Sequence, residues 1–134
     1  MKYIYTALFT RNPDDPSDTT IYARVPDLDG CITTGKNLSD AIDQITDAAS
    51  VWLVCAEDHG DPVVQSTPQK DIHAPEGSAM TLIQVDTNAY RAATDSKAVR
   101  KNVSIPSWMA TLADRKGINV SQVLQEALYA RLEA

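Results

Sequence analysis

The chain has 134 residues with 43% hydrophobic and 22% charged side chains, the proportions of an ordinary globular chain, which argues against wholesale disorder. No apolar run approaches the roughly 18 residues that span a membrane. MKYIYTALFT has no small-residue cleavage site, so neither a spanning helix nor a signal peptide is expected, and the chain is expected in the cytosol. The formal net charge of −6 is unevenly spread: residues 1–90 hold 14 acidic and 5 basic side chains, a net of −9, whereas residues 91–134 hold 7 basic and 4 acidic, a net of +3. Such asymmetry suggests two different partners, with the basic end the candidate for nucleic acid.

In chain order, KYIYTALFT places Tyr3, Tyr5, Ala7 and Phe9 on one parity and Ile4, Thr6 and Leu8 on the other, which predicts a strand buried on much of both faces. NPDDPSD is rich in turn formers and reads as an exposed loop. TTIYARV then reads as a second strand ending at Pro26, PDLDG as a tight turn with Gly30 at positive φ, and CITT as a third strand closed by Gly35. Short connections make these three an antiparallel meander.

Apolar residues at Leu38, Ala41, Ile42, Ile45, Ala48, Ala49, Trp52, Leu53 and Ala56 follow the helical period, with Asn37 as the N-cap and Asp40 at the capping-box position. Asp40, Asp43 and Asp47 fall on or beside the solvent side, near the positive end of the helix dipole. Residues 60–79 lack periodicity and are rich in Pro, Gly and Ser, so they read as loop. MTLIQVD, 80–86, reads as a further strand and TNAYRAAT as a short helix. Cys31 and Cys55 are expected to be reduced and buried as small hydrophobes.

The last third changes character. RKNVSIP reads as a basic strand at 99–105 stopped by Pro106, which is expected in the first turn of a helix capped by Ser104 or a neighbour. Trp108, Met109, Leu112 and Ala113 form the apolar face of that helix, and Gly117 supplies its left-handed stop. Asn119 then caps a second helix, with Gln122 at the capping-box position and a stripe of Val120, Val123, Leu124, Ala127, Leu128 and Leu132. A unit with one strand cannot close a core alone and leaves both strand edges unpaired. Pairing with a second copy solves both problems, giving a two-stranded ribbon over four helices with Val103, Ile105, Leu124 and Leu128 in the shared core.

On that ribbon Arg100, Asn102 and Ser104 share the parity that points away from the helices, and a two-stranded ribbon fits the major groove, where arginine reads guanine and asparagine reads adenine. Lys101 has the parity of the core residues and is expected to reach only phosphate. The bland alternative is a charged edge strand protected against aggregation.

KAVRKNVSIPSWMATLADRKGINVSQVLQEAL resembles a ribbon–helix–helix DNA-binding segment, and YARVPDLDGCITTGKNLSDAIDQITDAASVWL resembles the N-terminal domain of HicB antitoxins. The resemblance implies a partial RNase H-like N-terminal domain that binds and neutralises HicA, a small basic mRNA interferase, and a C-terminal segment that represses the chain's own operon. Where many members carry an Arg–Ser pair opening the last helix, this chain has Val120 and Ser121, so the serine carries over and the arginine does not. Asn119 and Ser121 at that helix start join the expected DNA contacts.

No carboxylate stands on the first strand, where an RNase H-like metal site needs one, and two-metal phosphodiester chemistry requires several converging carboxylates. His59 and His73 have no ligand spacing to Cys55, and no phosphate loop or nucleophile motif occurs. Neither catalysis, nor a metal, nor a cofactor is therefore expected. The sequence predicts an α+β fold: a small antiparallel sheet with one packed helix over 1–90, a linker over 91–98, and a ribbon–helix–helix dimerisation unit over 99–134. Toxin contacts are placed at Asp27 and Asp29 of the PDLDG turn. The competing reading is a stand-alone repressor whose N-terminal domain senses a ligand or assists assembly.

Overall fold

The computed structural model describes residues 1–95 and 97–133. Strands β1 (Lys2–Thr10), β2 (Ile21–Arg24) and β3 (Ile32–Gly35) precede helix α1 (Leu38–His59). Strand β4 (Ala79–Asp86) and helices α2 (Thr87–Thr94), α3 (Ser107–Lys116) and α4 (Val120–Glu133) follow, and a 3-10 turn at Gln69–Asp71 interrupts the long loop. The sheet order is β3-β2-β1-β4 with every pairing antiparallel, so the expected meander is present and β4 is added beside β1.

The alternation of β1 decides how the layers pack. Tyr3, Tyr5, Ala7 and Phe9 join Ala23, Val25, Ile83 and Val85 in one core with Ala41, Ile45, Ala49 and Leu53 of α1. Burial of each large apolar side chain contributes about 1.5–3 kcal/mol, so this single helix-on-sheet layer supplies most of the driving force. Thr6 and Leu8, on the opposite parity, are buried as well, as expected of a strand covered on both faces. Ile4 on that same face is half open, and Leu38, the first residue of α1, is also exposed, about 300° around the helix from the buried Ala41 of the same turn.

Local signals set the ends of α1. The Asn37 side chain accepts from the Asp40 N–H at 2.9 Å. Asp40 reaches back one residue further than a standard capping box, accepting from the Lys36 N–H at 2.8 Å. Gly60 closes the helix in the left-handed conformation, and Gly30 takes φ of 78° in the PDLDG turn. Gly35 has a different role: a Cβ there would overlap the backbone of Ala41, so glycine permits the close approach of β3 and α1.

Two features of the C-terminal third differ from the sequence reading. Residues 99–105 form no strand, against expectation: no strand among the described residues lies beside them to share ladder hydrogen bonds. Pro106 is the N-cap of α3 rather than a first-turn residue, and neither Ser104 nor any other side chain caps that helix. Gly117 is left-handed, as expected, at φ of 65°. None of the described residues of α3 or α4 is buried.

Candidate functional site

The PDLDG turn is held rigidly, and this changes the meaning of its two acids. Asp27 accepts from the backbone N–H of Thr67 at 2.9 Å and from the Thr67 hydroxyl at 2.7 Å, so its carboxylate pins the long loop to the turn. Asp29 leaves its carboxylate exposed, while its carbonyl accepts from the Trp52 indole N–H at 2.9 Å. The loop is anchored a second time where the Tyr5 hydroxyl donates to the carbonyl of Val64 at 2.7 Å. Burial, with Asp27 nearby, pushes the Tyr5 phenol above its ordinary value.

A polar cluster that the sequence reading missed ties α2 to α1. The Glu57 carboxylate accepts from the Tyr3 hydroxyl at 2.8 Å, the Thr87 hydroxyl at 2.9 Å and the Arg91 guanidinium at 3.2 Å. Arg91 also reaches Asp58 at 2.9 Å. Burial disfavours the charge on Glu57, but the three donors outweigh it and hold the carboxyl below its usual range. Burial, followed by the bond to Glu57, raises the Tyr3 phenol to about 12. The partners lie 30 to 54 residues from Glu57 in the chain, so no local pattern announces them. Because Arg91 fastens α2 to α1, a boundary drawn at residue 90 falls inside a helix that belongs with the sheet.

The two cysteines part company. Cys31 is buried, and burial raises its thiol, whereas Cys55 is exposed, against expectation. Cys55 lies two positions beyond Leu53, about 200° around the helix, and so turns away from the sheet. It faces a groove of about 410 Å³ between β3 and the C-terminal half of α1. Among the described residues, no group of three His, Cys, Asp or Glu side chains is arranged to hold a metal, and no helix is long and apolar enough to cross a membrane.

In the C-terminal third, Arg100, Lys101, Asn102 and Ser104 are all exposed in a segment without regular secondary structure. Asn119 is spent on the cap of α4, accepting from the Gln122 N–H at 3.1 Å, and Gln122 turns to Glu126 instead of completing a box. Ser121 is exposed in the first turn of α4. Val103, Ile105 and Leu128 are exposed in the single chain, while Leu124 is half-buried. Trp108, Met109 and Leu112 extend the same uncovered apolar surface along α3.

A family model described as the HicB-like antitoxin of bacterial toxin–antitoxin systems matches residues 13–127, a span that takes in both the sheet unit and most of α4. No curated protein matches the chain. Among solved structures, a toxin–antitoxin complex from Streptococcus pneumoniae aligns with TM-score 0.58 at 20% identity, covering 98% of this chain and 99% of that one. The antitoxin HicB of Burkholderia pseudomallei aligns with TM-score 0.54 at 21% identity, over 97% of this chain and 98% of its own. These likenesses speak to the fold: a small four-stranded antiparallel sheet with four helices.

Proposed function

Because the chain belongs to the HicB-like antitoxin family, we propose that it neutralises a HicA-type mRNA interferase through the unit spanning β1 to α2 and represses its own operon through a ribbon–helix–helix dimer built from residues 99–134. The observation that carries this reading is the family match, which runs continuously across both units. Three features support the division of labour. The first unit is acidic, at −9 over residues 1–90, suited to a basic partner, and the second is cationic, with 5 basic and 3 acidic side chains over residues 99–134, a net of +2. In the second unit an exposed basic segment precedes two helices whose apolar stripes lie open, the condition expected of half a dimer.

Pairing 99–105 with the same segment of a second copy would satisfy its backbone and cover Val103, Ile105 and Leu128. Arg100, Asn102 and Ser104 would then face the major groove, Lys101 a phosphate, and Ser121, at the start of α4, a further phosphate. The β3-β2-β1 meander followed by α1 supports the partial RNase H-like reading. The missing carboxylate on β1 supports a binding role instead of a catalytic one, so we assign no metal or cofactor. Of the two acids placed at the toxin interface, Asp29 is free to act and Asp27 serves the loop.

The test is co-expression with the protein encoded in the adjacent reading frame, which this reading expects to be short and basic. Growth arrest by that protein alone, relieved by this chain and by a fragment of residues 1–95, supports toxin neutralisation. A titration on the upstream DNA, giving tighter binding than a scrambled duplex, supports repression. An innocuous neighbour together with intact operator binding would favour a stand-alone repressor.

A further inference from the structure

Strand β4 ends the sheet on one side, and among the described residues no strand pairs with its outer margin. It runs in unbroken register with β1, from Phe9 opposite Ala79 to Lys2 opposite Asp86, and AMTLIQVD contains neither proline nor lysine. Sheet edges are ordinarily blunted by such residues, by a bulge, or by brevity, as β3 is with its 4 residues. The 8-residue edge of β4 has none of these protections.

Exposure on the face away from α1 shows what this margin lacks. Leu8 stands between Met80 of β4 and Arg24 of β2 and is 1% exposed. Met80 and Leu82 have a neighbouring strand on one side only and are 39% and 57% exposed, with Ile4 beside them. A further strand on the free margin would cover Met80 and Leu82 from the side, as the flanking strands cover Leu8.

Charge and symmetry select the occupant. GSAMTLIQV, residues 77–85, has no charged side chain, so a basic partner gains no attraction from this edge. A second copy fits it. Two-fold antiparallel pairing sets Leu82 opposite its own copy, Met80 opposite the partner's Gln84 and Asp86 opposite the partner's Ser78, so no like charges meet. One strand pair alone is marginal in water. The C-terminal dimer proposed above supplies the rest: residues 95–98 are a short link, and such a link holds the second β4 at an effective concentration on the order of millimolar.

Resting on that dimer, we propose that its two sheet units join edge to edge through β4, making one continuous sheet with Leu82 at the two-fold axis and both α1 helices on one face.

Cysteine cross-linking of the full-length chain tests the register. In a Cys55→Ser background, which removes the exposed native thiol, Leu82→Cys should form a disulfide-linked dimer under mild oxidation. Gln84→Cys lies exposed on the same strand and face, but in this register it stands about 14 Å from its own copy. Ile32→Cys lies exposed on the opposite edge of the sheet. Leu82→Cys should cross-link at least tenfold faster than either. Adding Leu124→Asp, which breaks the C-terminal core, should slow the Leu82→Cys reaction at least tenfold. Leu82→Cys reacting no faster than Gln84→Cys, in a chain that sediments as a dimer, overturns the β4 pairing and spares the C-terminal core. A Leu82→Cys rate undiminished by Leu124→Asp overturns the tethered arrangement. A wild-type chain that sediments as a monomer overturns both the pairing and the dimer on which it rests.

Discussion

Replacing Gly35 by alanine tests the closest approach in the fold. A Cβ at this position would overlap the N and Cα of Ala41 and stand 2.9 Å from its Cβ. The obstacle is mainly helix backbone, and that turn is held by the Asn37 cap and by Asp40 on the Lys36 N–H. The added methyl must therefore push the first turn of α1 off β3. Overpacking of this kind costs about 1–3 kcal/mol, and the reduced freedom of the unfolded chain returns about 0.4–1 kcal/mol. The central net loss of about 1.3 kcal/mol lowers the melting temperature by about 5–10 °C for a unit of this size. Gly30→Ala makes a useful contrast: nothing lies within 4 Å of its added Cβ, and its cost of about 1 kcal/mol comes only from φ of 78°. Adding Ala41→Gly to Gly35→Ala should not rescue stability, because the backbone overlap remains and glycine inside a helix costs about 1 kcal/mol. Urea unfolding followed by far-ultraviolet circular dichroism measures each difference. Gly35→Ala within about 0.5 kcal/mol of wild type would refute the packing argument.

The Glu57 cluster predicts a pH dependence. Its carboxyl is held low in the folded state, so its stabilisation is present above the unfolded value near 4.3 and is lost as pH falls through the folded value below it. Glu57→Gln should cost about 1–2 kcal/mol at pH 7 and progressively less below pH 4, and an equal cost at pH 3 would contradict the assignment. Leu124→Asp should hold the chain monomeric in sedimentation while the sheet unit melts as in wild type; a well-folded monomeric fragment 95–134 at micromolar concentration would rule out the shared core. Arg100→Ala and Asn102→Ala should each cost about 1–3 kcal/mol on operator DNA and narrow its margin over scrambled duplex, whereas Lys101→Ala and Ser121→Ala should weaken both alike. Titrations at two salt concentrations separate these cases, and an unchanged specificity ratio for Arg100→Ala would return the segment to a charged edge.

What could be read directly from the residues was local. The alternation of β1, the Asn37 and Asn119 caps and the left-handed Gly30 and Gly117 each depend on a few neighbouring positions, and each stands where the sequence placed it. Asp27 was legible as a turn residue but not as the clamp on Thr67, because that bond joins positions 40 apart. Cys55 was expected to be buried because free cysteines usually are, although the helical stripe of α1 omits it; the stripe was the better guide, and the thiol is exposed. Segment 99–105 has a strand's sequence without a strand's hydrogen bonds, since residue pattern alone does not supply the second strand that a ladder needs.

That last feature bears on dosage. The sheet unit completes its core within one chain, so on the proposed reading its capacity to neutralise toxin rises in direct proportion to the number of chains present. Helices α3 and α4 have no fully buried residue among those described, so on the same proposed reading the DNA-binding unit is assembled from two chains, and below its dissociation constant its abundance would rise with the square of concentration. Halving the protein would halve the toxin it can hold but cut operator-competent dimers about fourfold. Transcription would therefore resume while much of the neutralising capacity still stood, and a shortfall of antitoxin would be corrected before the toxin was released.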